Sequence, residues 1–420
     1  MNNLTKNSPP SMLVALLTLV SLVARLDAGE WPQILGPTRN GKAADDERLA
    51  SHWPAAGPKV VWQKRVGRGF AGVAVARGRT FLFHRQADRA ICEALDAHSG
   101  EPIWQAELPT SYVGTYVSDD GPRCVPIVAG EKLILYGAEG DLHCLAFADG
   151  KKLWSRELYR ELGTPRDNFF GAGSSPLVEG DLVLVNVGTR AGAGLVACSL
   201  ADGHTVWQAT NESASYSSPV ATTVAGVRHA IFVTRLNVVS VDPTNGAERF
   251  RLRFGSLGPT VNAANPLVVG DRLFVTANYG VGARCLKIGG DRADEVWQGE
   301  ALSSQYSTSI ERDGYLYGVD GRQDLGVARL RCLEFTTGNV QWTENDFGMA
   351  TLILADGKLI IQKTSGELVL AEPSPQAFHP LATAKPFDST VQALPALGEG
   401  LYYARDGRTL KCLDLRASDR

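Results

Sequence analysis

The sequence predicts an all-β protein: an eight-bladed β-propeller of four-stranded antiparallel blades, with the ring closed by an N-terminal strand. Three observations predict it. An apolar run leading into glycine recurs at Gly78, Gly130, Gly180, Gly226, Gly270, Gly314, Gly357 and Gly400, spaced by roughly 43 to 52 residues, which is the length of one four-stranded blade. Most copies then carry a tight turn (Ser99-Gly100, Asp149-Gly150, Asp202-Gly203, Asn245-Gly246, Thr337-Gly338) and a strand ending in Trp104, Trp154, Trp207, Phe250, Trp297 or Trp342. Finally, residues 59–66 hold Trp62 in a strand with no hairpin before it, whereas the last copy, 400–415, stops after its third strand. Pairing those two ends closes the ring and removes two exposed sheet edges.

From the N-terminus, Lys6 is the only charge ahead of the apolar run 12–24. That run is short for a bilayer span and fits a signal-peptide core over residues 1–28, with cleavage after Ala24 or Ala28. An uncleaved anchor is the other reading, and both place the folded part outside the cytoplasm. Residues 29–58 contain WPQILGPTRNG and a helix-like patch, DDERLASHW. They are too few for a core of their own and are expected to form an ordered arm laid across the propeller. Residues 59–420 are the propeller.

Each copy reads as strands a, b, c and d. Pro126, Pro176, Pro219, Pro266 and Pro395 recur at strand a, where a missing N–H is tolerated. Asp-Gly and Asn-Gly before strand d suit two-residue hairpins. Cys144, Cys198, Cys285, Cys332 and Cys412 share one place on strand c, and Cys92 lies close to it. Equivalent positions of neighbouring blades are too far apart for a disulfide, so free buried thiols are expected. Trp62, Trp104, Trp154, Trp207, Trp297 and Trp342 are read as wedges between blades, because one ligand does not need six equivalent rings. The seventh copy lacks the Trp, and Phe378 is expected to replace it.

Lys and Arg number 42 and Asp and Glu 45, so there is no electrostatic case for nucleic acid or anionic lipid. The histidines show no HxxxH or HxH spacing and there is no CxxC, which argues against a zinc site.

The Pro-bearing strand a, the Gly-Asp turns and ALDAHSGEPIW (94–104) resemble the PQQ-like (pyrroloquinoline-quinone-type) β-propeller repeat, over essentially all of 60–415. WPQILGPTRNG also resembles the leader of secreted planctomycete-type propellers of that family. The resemblance implies one of two functions. The first is a non-catalytic, BamB-like scaffold; the second is a dehydrogenase holding pyrroloquinoline quinone (PQQ) and calcium. The sequence has no Cys-Cys pair and lacks the long insertions of such dehydrogenases, and no lipobox Cys follows the apolar run. The expected function is therefore an exported, monomeric binding module. Its partner would be a protein, peptide or glycan of the cell envelope, without cofactor, nucleic acid or stable membrane span.

Its binding face is expected where the d–a and b–c loops cluster, since loops carry function on rigid scaffolds. The candidates are Tyr112, Tyr116, Asp119, Asp120, Arg123, Arg166, Asn168, Phe169, Arg190, Asn262, Asn265, Tyr279, Tyr306, Asp320 and Arg322. Tyr, Phe and Arg together are what interface hot spots use. Asp119 and Asp120 with Asn262 or Asn265 offer the alternative of an oxygen-rich calcium cage.

Overall fold

The computed structural model describes residues 29–114, 119–164, 170–189, 191–258 and 260–417. Its strands form eight four-stranded antiparallel sheets. Blade 1 spans residues 73–109, blade 2 127–157, blade 3 177–209, blade 4 220–253, blade 5 267–299, blade 6 310–344 and blade 7 350–384. Blade 8 takes strands a to c from Ala396–Gly398, Leu401–Arg405 and Thr409–Asp414, and its outermost strand is Lys59–Arg65. The chain ends therefore meet in one sheet. Among the described residues the single α-helix is Leu158–Leu162, between blades 2 and 3.

Blade 3 shows why this sequence folds this way. Strands b (Leu182–Asn186) and c (Leu195–Ser199) are almost wholly buried, as continuous apolar runs require. Strand d (Thr205–Ala209) is buried only at Trp207. Around the ring, the pairing of c with d slips by one residue at a recurring point, and Trp104, Trp154, Trp207, Phe250, Trp297 and Trp342 lie opposite it. Trp62 takes the same place against Cys412. Such a bulge re-aims one side chain. Here it turns each ring into the seam with the next blade. The six indole nitrogens donate across that seam to Ala97, Phe147, Leu200, Pro243, Phe335 and Ser374 carbonyls at 2.8–3.2 Å.

Each seam also needs a turn without a side chain. Gly203 has φ +79, and a Cβ there would stand 2.7 Å from the Trp154 ring. Gly226 has the same φ, +79, but faces open space. Alanine at either position costs about 1 kcal/mol or more in backbone strain. Gly203→Ala should lose clearly more stability than Gly226→Ala in denaturant unfolding, and equal losses would refute the seam contact.

Blade 7 departs from the pattern. Ala382, not an aromatic residue, lies opposite its slip. Phe378 lies at the turn before strand d and packs on the Trp342 ring at 6.0 Å and edge-on to Phe347 at 5.5 Å. It therefore does not replace the missing Trp. Trp53 and Ala382 instead pack against the same core. All seven cysteines are free and buried.

The patch DDERLASHW is not helical. It is held in turns and irregular chain by other partners: Leu49 N–H donates to Asp356 at 3.0 Å, Ala50 N–H to the Leu415 carbonyl at 2.8 Å, and the Glu47 carboxylate accepts the Glu399 and Gly400 amides. Residues 31–43 run into the central channel rather than over a face. Trp31 and Val75 exchange two backbone bonds (2.7 and 2.8 Å), Val128 N–H donates to Pro32, and Leu354 bonds Gly41 and Ala43 at 2.9 Å. The inner strands of blades 1, 2 and 7 thus hold a plug made from the chain's own N-terminal arm.

A candidate binding funnel on the d–a and b–c face

Five consecutive blades are tied together around the channel mouth. Two residues before strand a, each of blades 3 to 6 presents a polar side chain that accepts the equivalent backbone N–H of the preceding blade. Ser175 Oγ takes Val125 N–H (2.9 Å), Ser218 Oγ takes Ser175 N–H (2.8 Å), Asn265 Oδ1 takes Ser218 N–H (2.7 Å) and Thr308 Oγ1 takes Asn265 N–H (3.0 Å). Each bond satisfies an amide that the ladder leaves unpaired. This belt is rigid, and the d–a loops hang from it.

Above the belt opens a funnel of about 720 Å³, within the range of small-ligand and peptide pockets. Its floor is Ile34 of the plug, and its walls come only from d–a and b–c segments. The aromatic wall is Phe70, Phe170, Tyr216, Tyr279 and Tyr306. Phe170 and Tyr216 pack at 5.6 Å, and the Tyr216 hydroxyl accepts the Phe170 amide at 3.0 Å. Tyr306 donates to Gln323 Oε1 (2.8 Å), which also accepts Gln392 (2.9 Å), while Gln305 donates to the Tyr279 hydroxyl (2.8 Å). Burial pushes the Tyr216 and Tyr306 phenols up, so both stay neutral.

Two arginines line this wall. Arg322 stacks over Tyr279 at 4.1 Å and is ion-paired with Asp324. Arg123 lies 5.7 Å from the Phe70 ring and 5.5 Å from Tyr112, and donates to the carbonyls of Gly121 (2.8 Å) and Asp119 (3.2 Å). Burial lowers its pKa, opposed by nearby Tyr112 and Asp119. A third arginine, Arg39 of the plug, is buried below the belt. It donates to the Ser175 and Pro176 carbonyls at 3.0 Å each, and desolvation brings its pKa down to about 9.

The expected residues divide sharply. Arg123, Asn265, Tyr279, Tyr306 and Arg322 line the funnel together, with Tyr112 beside Arg123. Asn262 does not line it: it is 1% exposed and donates to the Thr234 and Arg235 carbonyls at 3.1 Å. Asp320 is buried against Arg329 and Arg331 and accepts the Ser303 amide at 2.8 Å. Asp119 accepts the Gly69 and Gly121 amides, both at 2.9 Å, and Asp120 pairs with Arg68 and Arg85. Those carboxylates build the loop, so the calcium cage of Asp119, Asp120, Asn262 and Asn265 is not formed. Tyr116, Arg166, Asn168, Phe169 and Arg190 lie outside the described residues. Sequence reasoning missed Phe70, Tyr216 and the three glutamines. Tyr216 had a signal, because it directly precedes the repeated Ser-Ser pair.

The comparisons with known proteins follow this geometry. The family model described as outer membrane protein assembly factor BamB matches residues 42–164 and 88–344. Among solved structures, BamB from Moraxella catarrhalis is 14% identical with a TM-score of 0.64, covering 86% of this chain and 99% of that one. Quinohemoprotein alcohol dehydrogenase from Comamonas testosteroni is 11% identical with a TM-score of 0.66, covering 93% and 81%. At such identities the likeness is one of fold, which hosts unrelated functions. No curated protein matches the chain significantly.

Proposed function

We propose, for a chain that belongs to the family described as outer membrane protein assembly factor BamB, that it is an exported, non-catalytic binding module that docks a protein segment of the cell envelope. The single observation that carries this reading is the funnel: an aromatic, mostly apolar hollow on a rigid belt, closed below by the chain's own arm. The same face carries Val113 and Leu257 in d–a loops and Leu325 in a b–c turn, which are 73%, 77% and 64% exposed. Exposed apolar side chains on the face of a concave aromatic centre are the anatomy of a docking site. None of the described helices is long and apolar enough to cross a membrane.

The dehydrogenase reading demands a calcium ion beside the quinone, and the donor set does not fit one. Among the described residues no three His, Cys, Asp or Glu side chains converge. Among the described residues Asp324 is the one carboxylate in the funnel wall, and it is paired with Arg322. Calcium takes six to eight oxygen ligands, carboxylates among them, and a carboxylate already paired with an arginine is a poor donor.

Photo-crosslinking separates the faces. A crosslinking amino acid at Leu257 or Leu325 should capture one discrete envelope partner, and one at Glu131, on the opposite a–b face, should not. Equal capture from both faces would refute the docking reading. A saturable rise in melting temperature requiring both PQQ and calcium would refute the non-catalytic part.

A further inference from the structure

The funnel holds a guanidinium that no described carboxylate pairs with directly, although the nearby Asp119 and Asp120 charges favour its protonated form through space. Among the described residues Arg123 makes two hydrogen bonds, both to backbone carbonyls, and its guanidinium carries five N–H donors. Among the described residues no carboxylate forms an ion pair with it. Asp119 has both oxygens on backbone amides, and Asp120 is held by Arg68 and Arg85. The other arginine of the wall is neutralised by Asp324. An apolar hollow with one anchored guanidinium, held by two carbonyls and in no direct ion pair, selects an anion that arrives with an apolar group.

The neighbourhood narrows the choice further. Phe70 lies against Arg123, with Phe170 and Tyr216 on the same wall, so the anion and a ring would be recognised side by side. Asn265 has its Oδ1 taken by the Ser218 amide, which leaves its NH2 group as a donor for a carbonyl. Val113 and Leu257 in d–a loops and Leu325 in a b–c turn expose apolar side chains on the same face, and a ligand that ended inside the funnel would leave them uncovered. An Asp or Glu side chain brings a carboxylate without a ring. The last residue of a chain brings both, together with a backbone that leads back out across the rim.

We propose that the funnel captures the free carboxyl terminus of an extended partner peptide whose final side chain is aromatic, with the α-carboxylate on Arg123. This rests on the docking reading above and specifies what enters. The probe is a fluorescein-labelled peptide, Gly-Ser-Gly-Ser-Val-Phe, titrated by anisotropy into the full chain as a free acid and as the C-terminal amide. The free acid should bind at least about tenfold tighter than the amide, the usual scale of one charge-assisted contact. Arg123→Gln should remove that preference and leave the affinity of the amide unchanged, while Tyr306→Ala should weaken both forms alike. Arg123→Lys keeps the charge and should retain part of the preference, which covers the case of a poorly folded glutamine variant. 3-Phenylpropionate, an aromatic carboxylate without a chain, should compete only at far higher concentration.

Equal binding of acid and amide overturns the proposal, as does a preference that survives Arg123→Gln. Competition by 3-phenylpropionate at the peptide's own concentration overturns the peptide and points to a small aromatic acid. Capture of a partner at Leu257 or Leu325 with no binding of either peptide overturns the carboxyl-terminus claim alone and leaves the docking face standing.

Discussion

Trp62→Ala should destabilise the propeller by about 3–5 kcal/mol, the cost of truncating a buried aromatic residue. Trp62 is 8% exposed, its indole donates to the Ala97 carbonyl at 2.8 Å, and its ring stands 6.0 Å from Tyr403 and over the turn of Gly100. The same residue therefore holds the seam between blades 8 and 1 and the only strand of blade 8 that comes from the other end of the chain. Trp207→Ala makes a comparable cavity in a seam between two blades of continuous sequence. The two variants should lose similar equilibrium stability. Only Trp62→Ala should also expose amides 59–65 and the last strand, 409–414, to early hydrogen exchange, because its strand can leave without the rest of the ring. Denaturant unfolding with residue-level exchange reads both effects. A loss below about 1 kcal/mol, or exchange no faster at 59–65 than in the other d strands, would sink the closure argument.

The framework of this molecule was legible because it repeats. Turn glycines, c-strand cysteines and d-strand tryptophans recur at blade spacing, and residues 59–66 could be matched to the missing strand by elimination. The arm was misread for a physical reason. The spacing in DDERLASHW suits a helix, but Glu47, Leu49 and Ala50 find their hydrogen-bond partners in blades 7 and 8, and tertiary partners override a weak local preference. Trp53 is a similar case, since nothing in the seventh copy announces that the core on which Ala382 packs also receives an aromatic from more than three hundred residues earlier. At the funnel, composition named residues that line the hollow together with others that do not, and could not tell them apart. Arg123 and Tyr306 line the funnel, whereas Asp119, Asn262 and Asp320 have the same polar loop character and serve the backbone. Loop residues carry no period, so their direction is set by the belt beneath them, and the belt appears only when five blades are closed.

Lowering the pH from 7 to 4 should cost this fold about 3 kcal/mol through one side chain, His143. It lies in strand c of blade 2 (Asp141–Ala146), 6% exposed, with Nδ1 2.7 Å from Ser155 Oγ. Burial, aided by the nearby Lys152 charge, brings its pKa down to about 4, against about 6.5 in the unfolded chain. Between those values the unfolded state binds a proton and the folded state does not, so stability falls as pH falls, over the window from about 6.5 to 4. Glu47 acts in the opposite sense: burial raises its pKa despite the Gly400 and Glu399 amides, so the folded state takes up its proton first. Glu93 belongs to the more acid side: burial pushes it up, but hydrogen bonds from His84 and Lys64 outweigh that and hold it low. Its contribution is present above about pH 4.3 and is lost below that. His143→Gln isolates the larger effect. Unfolding at pH 7, 5.5 and 4 should show a steep loss in the parent and a shallower one in the variant, and parallel curves would remove His143 from the account. No histidine lines the funnel, so across the same window the peptide affinity of the folded protein should stay level while its stability falls. A funnel lined by arginine and aromatic rings, carried by a propeller with a buried neutral histidine, would keep recognition and stability on separate titrations.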